Sequence, residues 1–428
     1  MIVWLCAAAF AQAPVRAFVG ARVHPVSSEP IDDGVVVVEG GSIVAVGPRG
    51  AVSVPDGAEV VDVSGKTIIP GLVDTHSHIG GGRLHENLGA VQPAISAVDA
   101  IDPSHISLQR AQAGGITTAN VMPGSGKLMG GQTAYIKLRE SSVVDELLLC
   151  REPAAPLLAD EDTPERWQIC GGMKMANGTN PQGGGGGPAS RMGSAYLQRQ
   201  TLQRGVARLE AHTAAAEGGR KAPSRPEPDL EEDALAQLAA GQRTIHFHTH
   251  RADDIVTALA LKETYGVDVV LHHVSEAWKV ADQIAASGAP CSLIVIDAPG
   301  GKEEALEIRS SNGAILEQLG VTVAFHTDDP ITDSRLFLRS AGIAVRSGMS
   351  APGALRALTL SGAEMMGLDA RIGSLEPGKD ADLVVLSGDP LSVWTQVEQT
   401  WVDGEKVFDR SNPADAAHAS GGDRGETL

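Results

Sequence analysis

Apolar and polar positions along this chain follow two different rhythms. From about residue 71 to 367, short β-branched runs end in histidine or aspartate, and each is followed by a stretch with helical spacing of its apolar residues. The runs are Pro70-Gly71-Leu72-Val73-Asp74-Thr75-His76-Ser77-His78, Thr244-Ile245-His246-Phe247-His248-Thr249-His250, Val267-Asp268-Val269-Val270-Leu271-His272-His273 and Val321-Thr322-Val323-Ala324-Phe325-His326-Thr327-Asp328-Asp329. Helices are predicted over 104–113, 230–240, 252–265, 275–287, 302–319 and 351–366. This alternation predicts a parallel β/α barrel, an architecture that keeps its chemistry at the carboxyl ends of the strands.

The flanks read differently. Residues from Val15 to Pro70 are short strands and turns, with Glu39-Gly40-Gly41-Ser42 as a hairpin between valine-rich runs. The same signature returns in Ala381-Asp382-Leu383-Val384-Val385-Leu386 and around the Asp403-Gly404 turn. A small β-sandwich built from both termini, 14–70 with 368–411, is therefore expected beside the 71–367 barrel. The stretch 214–233 reads as an exposed insertion, Gly183 to Gly187 as a loop without the Lys-Ser/Thr of a phosphate-binding motif, and 412–428 as a disordered tail.

Composition narrows the function classes. A formal net charge of −19 argues against nucleic acid or an anionic membrane as partner. The apolar run 1–13 ends in small residues and reads as a secretory signal without a basic start. It is too short to span a bilayer. A periplasmic or secreted location follows; if the run is instead a first strand, the protein is cytoplasmic. Cys150, Cys170 and Cys291 show neither ligand spacing nor an even-numbered framework, so buried thiols are expected.

His76 and His78, spaced i and i+2 on a strand, project from one face roughly 7 Å apart. Two such imidazoles can converge on one divalent cation. On the second run His246, His248 and His250 share a face, and spacing does not choose among them. On the third, His272 and His273 should point to opposite faces, so that one at most reaches the interior.

These motifs resemble the amidohydrolase superfamily, with an imidazolonepropionase-like flavour. The resemblance rests on the His76/His78 segment, the later histidines, Asp328 and the closing Ile372-Gly373-Ser374-Leu375-Glu376-Pro377-Gly378-Lys379-Asp380-Ala381-Asp382-Leu383-Val384. Locally it adds Gly130-Gly131-Gln132-Thr133, Met173-Lys174-Met175-Ala176-Asn177-Gly178 and His250-Arg251-Ala252-Asp253-Asp254-Ile255. It implies a (β/α)8 TIM-like barrel with a divalent metal, zinc first, held by His76, His78, His248, His273 and Asp328. One or two ions are compatible, the second if Lys174 is carboxylated and bridges. Asp328 would be the general base and His273, with the metal, a stabiliser of the oxyanion. Arg251 and His250 are candidate contacts to substrate, as is any of Arg191 and Arg335.

The implied reaction is hydrolysis of a C–N bond in an amide, cyclic amide or dipeptide-like small molecule by metal-activated hydroxide. Deamination of an aminated ring uses the same chemistry and is the second expectation. A non-catalytic, dihydropyrimidinase-like scaffold is the third, and has no need of five ligands. Homo-oligomerisation is left open.

Overall fold

The computed structural model describes residues 14–150, 169–183, 186–217, 223–295 and 302–420. The candidate signal segment therefore lies outside the described residues, as does part of the glycine run. Three sheets organise the chain. The first has eight strands and joins both ends: Glu405–Asp409, Val397–Val402, Leu383–Leu386, Thr67–Pro70, Val15–Val23, Ile31–Glu39 and Ser42–Pro48 lie in that order, with Glu59–Asp62 beside Val15–Val23. Its central seam pairs Leu383 with Pro70 and Leu386 with Thr67 in antiparallel register. Phe18, Val36, Ile68, Leu383 and Trp401 fill one face, and the Phe18 and Trp401 rings meet edge to face at 5.0 Å.

The second sheet has six strands. Met173–Ala176, Ile245–Thr249, Val269–His273, Cys291–Leu293 and Val323–Phe325 run parallel, and Met129–Gln132 closes one edge antiparallel. The third carries Leu72–Ser77 parallel to Ile116–Val121, with Ala134–Lys137 antiparallel. Hydrogen bonds join these two sheets at either end. Asp328 N donates to His76 O at 2.9 Å, and Tyr135 N donates to Cys170 O at 2.7 Å. All residues of the strands bearing His76, Lys174, His246 and His272 are buried, which explains why their apolar runs are nearly continuous.

Most predicted helices form, including Ala252–Tyr265 over the expected range. The structure corrects four expectations. A helix runs over Arg191–Glu217, 27 residues, into what the sequence marks as an insertion. It buries mainly small or polar side chains, among them Ser194, Gln198, Thr201 and Gly205, so it shows no apolar stripe. At Gly205 a Cβ would come within 2.6 Å of the Leu235 carbonyl, the close approach that replaces an apolar contact with helix Leu230–Ala239.

The expected disordered tail begins with a helix, Pro413–Ser420. Cys150 and Cys170 form a disulfide instead of remaining thiols, and Cys291 is free and buried among the described residues. Both bonded cysteines flank Tyr135, whose N–H donates to Cys170 O and whose O accepts from Leu149 N–H, so a proximity invisible in the spacing brings them together. The fourth correction, at His272, belongs to the site.

One buried ionic group pins the eight-stranded sheet to the strand Ala134–Lys137. The fully buried Lys137 ammonium donates to Asp382 at 3.1 Å, pairs with Asp380 at 2.6 Å and also binds Asp403, which Arg139 contacts from outside. Burial opposes the Lys137 charge, but the three carboxylates hold its pKa above the usual lysine value. Burial likewise opposes ionisation of Asp403, yet Lys137 and Arg139 hold it below the ordinary carboxylate range.

Candidate metal centre

Histidines from three strands and the segment after a fourth meet around His76. The rings of His78, His272, His273 and His326 have their centroids 5.2, 5.1, 5.0 and 4.9 Å from its own. Three donor groups are close enough to share a cation: His76, His78 and Asp328; His248, His250 and His273; and His76, His272 and His326. In the first, Asp328 Oδ1 lies 3.0 Å from His78 Nε2 and 3.4 Å from His76 Nε2. The second adjoins it through His273 Nε2, 4.0 Å from Asp328 Oδ2. The five ligands expected from the sequence thus divide between two neighbouring groups. Lys174 joins the first, its Nζ 3.1 Å from His76 Nε2 and 3.2 Å from Met122 Sδ.

Backbone conformation explains the crowding. His273 has φ +69°, Val274 +40° and Asp328 +50°, left-handed values that non-glycine residues adopt at a cost of order 1–3 kcal/mol. At His273 this turn breaks the strand alternation, so His272 and His273 both reach the cluster. The expectation that only one could do so is corrected. Asp74, buried below, accepts from Thr327 N at 3.0 Å and from Thr327 Oγ1, and so fixes the turn that presents Asp328. Burial pushes the Asp74 carboxyl up to about 7 against those hydrogen bonds.

The protonation states suit a cation. Burial holds His76, His248, His272 and His273 well below the ordinary imidazole range, and takes His250 and His326 down to about 3. Neutral imidazole is the ligating form. Burial works against ionisation of Asp328, but the His78 hydrogen bond and the charges around it keep the carboxyl below its usual range. Burial brings the Lys174 ammonium down to about 7, against the pull of Asp328.

The hydrogen bonds test whether a metal belongs here. His78 Nδ1 lies 2.8 Å from the Met122 carbonyl, which can only accept, so Nδ1 carries the proton. In the neutral ring Nε2 is then a lone pair, aimed at a carboxylate oxygen 3.0 Å away. Only a positive charge between the two, a proton or a cation, relieves that contact. Nearby, His76 Nδ1, His250 Nε2, His272 Nδ1 and His273 Nε2 are buried without a hydrogen-bond partner. His248 is steered by Ser125 Oγ at Nδ1, 3.0 Å, and Asn180 Nδ2 at Nε2, 3.3 Å. The donor set fits a divalent metal.

A solved structure of an amidohydrolase from Thermotoga maritima superimposes on this fold with a TM-score of 0.79 at 32% sequence identity, covering 92% of this chain and 100% of that one. The chain belongs to the amidohydrolase superfamily. A family model of amidohydrolases also matches residues 277–408. The amidohydrolase tasK of Hapsidospora irregularis is 29% identical over 401 residues, taking in 88% of this chain and 40% of that longer protein. An imidazolonepropionase from a Bradyrhizobium strain is 25% identical over 391 residues, 83% of this chain and 87% of that enzyme. The superfamily is one of hydrolases acting on carbon–nitrogen bonds.

In this amidohydrolase the sequence-named residues do not all gather. His76, His78, Lys174, His248, His250, His273 and Asp328 do. Arg251 does not: its guanidinium forks onto Asp253 at 3.0 Å, nearly half exposed at the start of helix Ala252–Tyr265. The structure adds His272, which the strand alternation sets against His273, and His326, two residues before Asp328. His326 Nδ1 meets Ser292 Oγ at 2.7 Å, and its Nε2 lies 3.3 Å from His273 Nδ1. Met122, Ser125 and Asn180, which orient the imidazoles, had no signal in the sequence at all.

Proposed function

We propose that this amidohydrolase is a metal-dependent hydrolase that cleaves a C–N bond of a small amide, cyclic amide or dipeptide-like molecule. The carrying observation is His78 Nε2, 3.0 Å from Asp328 Oδ1 while Nδ1 faces the Met122 carbonyl, a contact that a cation between the two would satisfy. His76, His78 and Asp328 would hold the cation, with His248 and His273 beside them, and nitrogen-rich ligation favours zinc. A cation there supplies an acidified water, pKa lowered toward about 7, and a Lewis acid for the substrate carbonyl.

Asp328, ionised and fixed by the Asp74–Thr327 bonds, takes the proton from the attacking water and returns it to the departing nitrogen. His273, its Nδ1 engaged by His326, turns its free Nε2 to the site as a donor to the developing oxyanion. Lys174, whose charge is felt by His76, His248, His250 and His273, would be the residue to help hold a second cation if it were carboxylated. The strand order supports a (β/α)8 TIM-like barrel over 71–367 with a small β-sandwich from both termini. The Cys150–Cys170 disulfide supports a periplasmic or secreted location.

Metal analysis of the purified protein, followed by a screen of N-acyl amino acids, Xaa-Pro dipeptides and cyclic ureides, tests this reading. Stoichiometric metal with carboxylate product is expected. Ammonia released from aminated rings would make it a deaminase, and neither metal nor turnover would sink the hydrolase.

A further inference from the structure

The cations around the centre differ in what already neutralises them. Arg191 binds Asp254 at 2.9 Å and reaches Glu304 at 3.4 Å, Arg251 binds Asp253, and Arg335 binds Asp333. Lys174 is fully enclosed against His76. Lys127 has no carboxylate but donates to Asn87 Oδ1 at 2.5 Å, and among the described residues Lys302 has neither. No carboxylate among the described residues approaches its ammonium within ion-pair distance, although the side chain is half-buried.

The segment that begins at Lys302 is fastened beside the histidines through Glu304. Two residues on, the buried Glu304 carboxylate accepts from Thr179 N at 2.9 Å and from Arg191. The neighbour of Thr179, Asn180, is the residue that contacts His248 Nε2. The turn after strand Met173–Ala176 is thereby tied both to the Lys302 loop and to a candidate ligand. Lys302 is also near enough to Asp328, His248, His250 and Lys174 for its charge to act on each. Close by, His250 Nε2 is buried without a partner. A partly desolvated ammonium with Asp328 and Glu304 near but no carboxylate at ion-pair distance, beside an imidazole nitrogen without a partner, is completed by an anion from outside.

We propose that Lys302 holds a carboxylate of the substrate, so that the bond cleaved belongs to a small molecule bearing a negative charge close to that bond. This rests on the C–N hydrolase reading above. Lys302 is a binding residue in this proposal, and the charge it selects is the substrate class.

The test uses zinc-loaded full-length protein and a panel of N-acetyl amino acids paired with their uncharged C-terminal amides. Affinity is measured by calorimetry and turnover is scored separately. Wild type should bind at least one carboxylate more tightly than its amide. Lys302→Met should lose roughly tenfold to hundredfold in affinity for that carboxylate, the loss of one charge-assisted contact, and leave the amide unchanged. Lys302→Arg should recover part of the preference. A panel with no carboxylate preference in wild type, or a preference that survives in Lys302→Met, overturns the proposal. Compounds that bind through Lys302 without being cleaved leave it standing and overturn the hydrolase reading. Compounds cleaved with equal preference by both proteins do the reverse.

Discussion

The histidine–aspartate group around His76 and the lysine–aspartate group around Lys137 are both buried and both rich in ionisable side chains, yet their valences are filled differently. Around Lys137 an ammonium with three donors meets three carboxylates, and Arg139 adds a further charge from outside; one oxygen, Asp382 Oδ2, is left over. Around His76, four ring nitrogens have no partner, and His78 Nε2 faces a carboxylate across 3.0 Å, a contact that needs a proton or a cation. Buried polar groups that satisfy one another need nothing more and act as a fastening. Buried groups that leave one another unsatisfied at strand ends mark a place where something else binds.

Substitutions in the two groups should therefore separate activity from stability. Asp328→Asn should lower turnover by a factor of about 10²–10⁴, the usual share of a general base, in steady-state assays. Asparagine tolerates the left-handed backbone at this position, so circular dichroism melts should stay near wild type. A variant that turns over normally would remove Asp328 from its role. Lys137→Met should show the opposite: a loss of about 3–5 kcal/mol in urea unfolding, because it leaves buried carboxylates without a cation, and unchanged metal content. If metal is lost in step with stability, the two groups are not independent.

Chelation should act on the first group alone. Removing the cation should lower the unfolding midpoint of wild type, and readdition at about 100 times its Kd should restore about 2.7 kcal/mol. Lys137→Met should gain the same increment from readdition, read by differential scanning calorimetry. The smallest effect expected is in pH dependence. Lys137 is raised above 10.5, so its contribution is complete below that value and is lost as pH climbs through the folded pKa. Asp403 is depressed below 3.8, so its contribution is complete above that value and is lost as pH falls through the folded pKa. The stability gap between wild type and Lys137→Met should narrow at high pH as Lys137 discharges, and on the acid side as the carboxylates, with Asp382 raised by burial, protonate in the variant. A gap unchanged at high pH would point to a different titrating group.

How much the sequence disclosed depended on whether local geometry kept to its usual period. His76 and His78 do meet as their two-residue spacing implies, although the pairing of Leu72–Ser77 shifts register between Asp74 and Ser77 and His78 lies just past the strand. His272 could not be placed, because φ +69° at His273 reverses the alternation on which the inference relied. Helix Arg191–Glu217 escaped notice because it packs through Gly205 and short polar side chains, whereas Ala252–Tyr265 buries Ile255, Ala258, Leu259 and Leu261 at helical spacing. The Cys150–Cys170 bond depends on both cysteines flanking Tyr135, a relation that exists only once the sheets are assembled. Side chains that could act as ligands were visible as residue types. The residues that aim them were not, since a methionine carbonyl, a serine and an asparagine carry no mark of their use.

The seam in which Thr67–Pro70 pairs with Leu383–Leu386 bears on how the protein is made. The strand presenting His76 begins two residues after that seam, so its seating requires a partner translated more than three hundred residues later. Emerging from the ribosome, the chain carries its first histidines early but cannot fix them until almost all of its length is available, and in the meantime the open edge of Thr67–Pro70 must be kept from pairing with a neighbouring nascent chain.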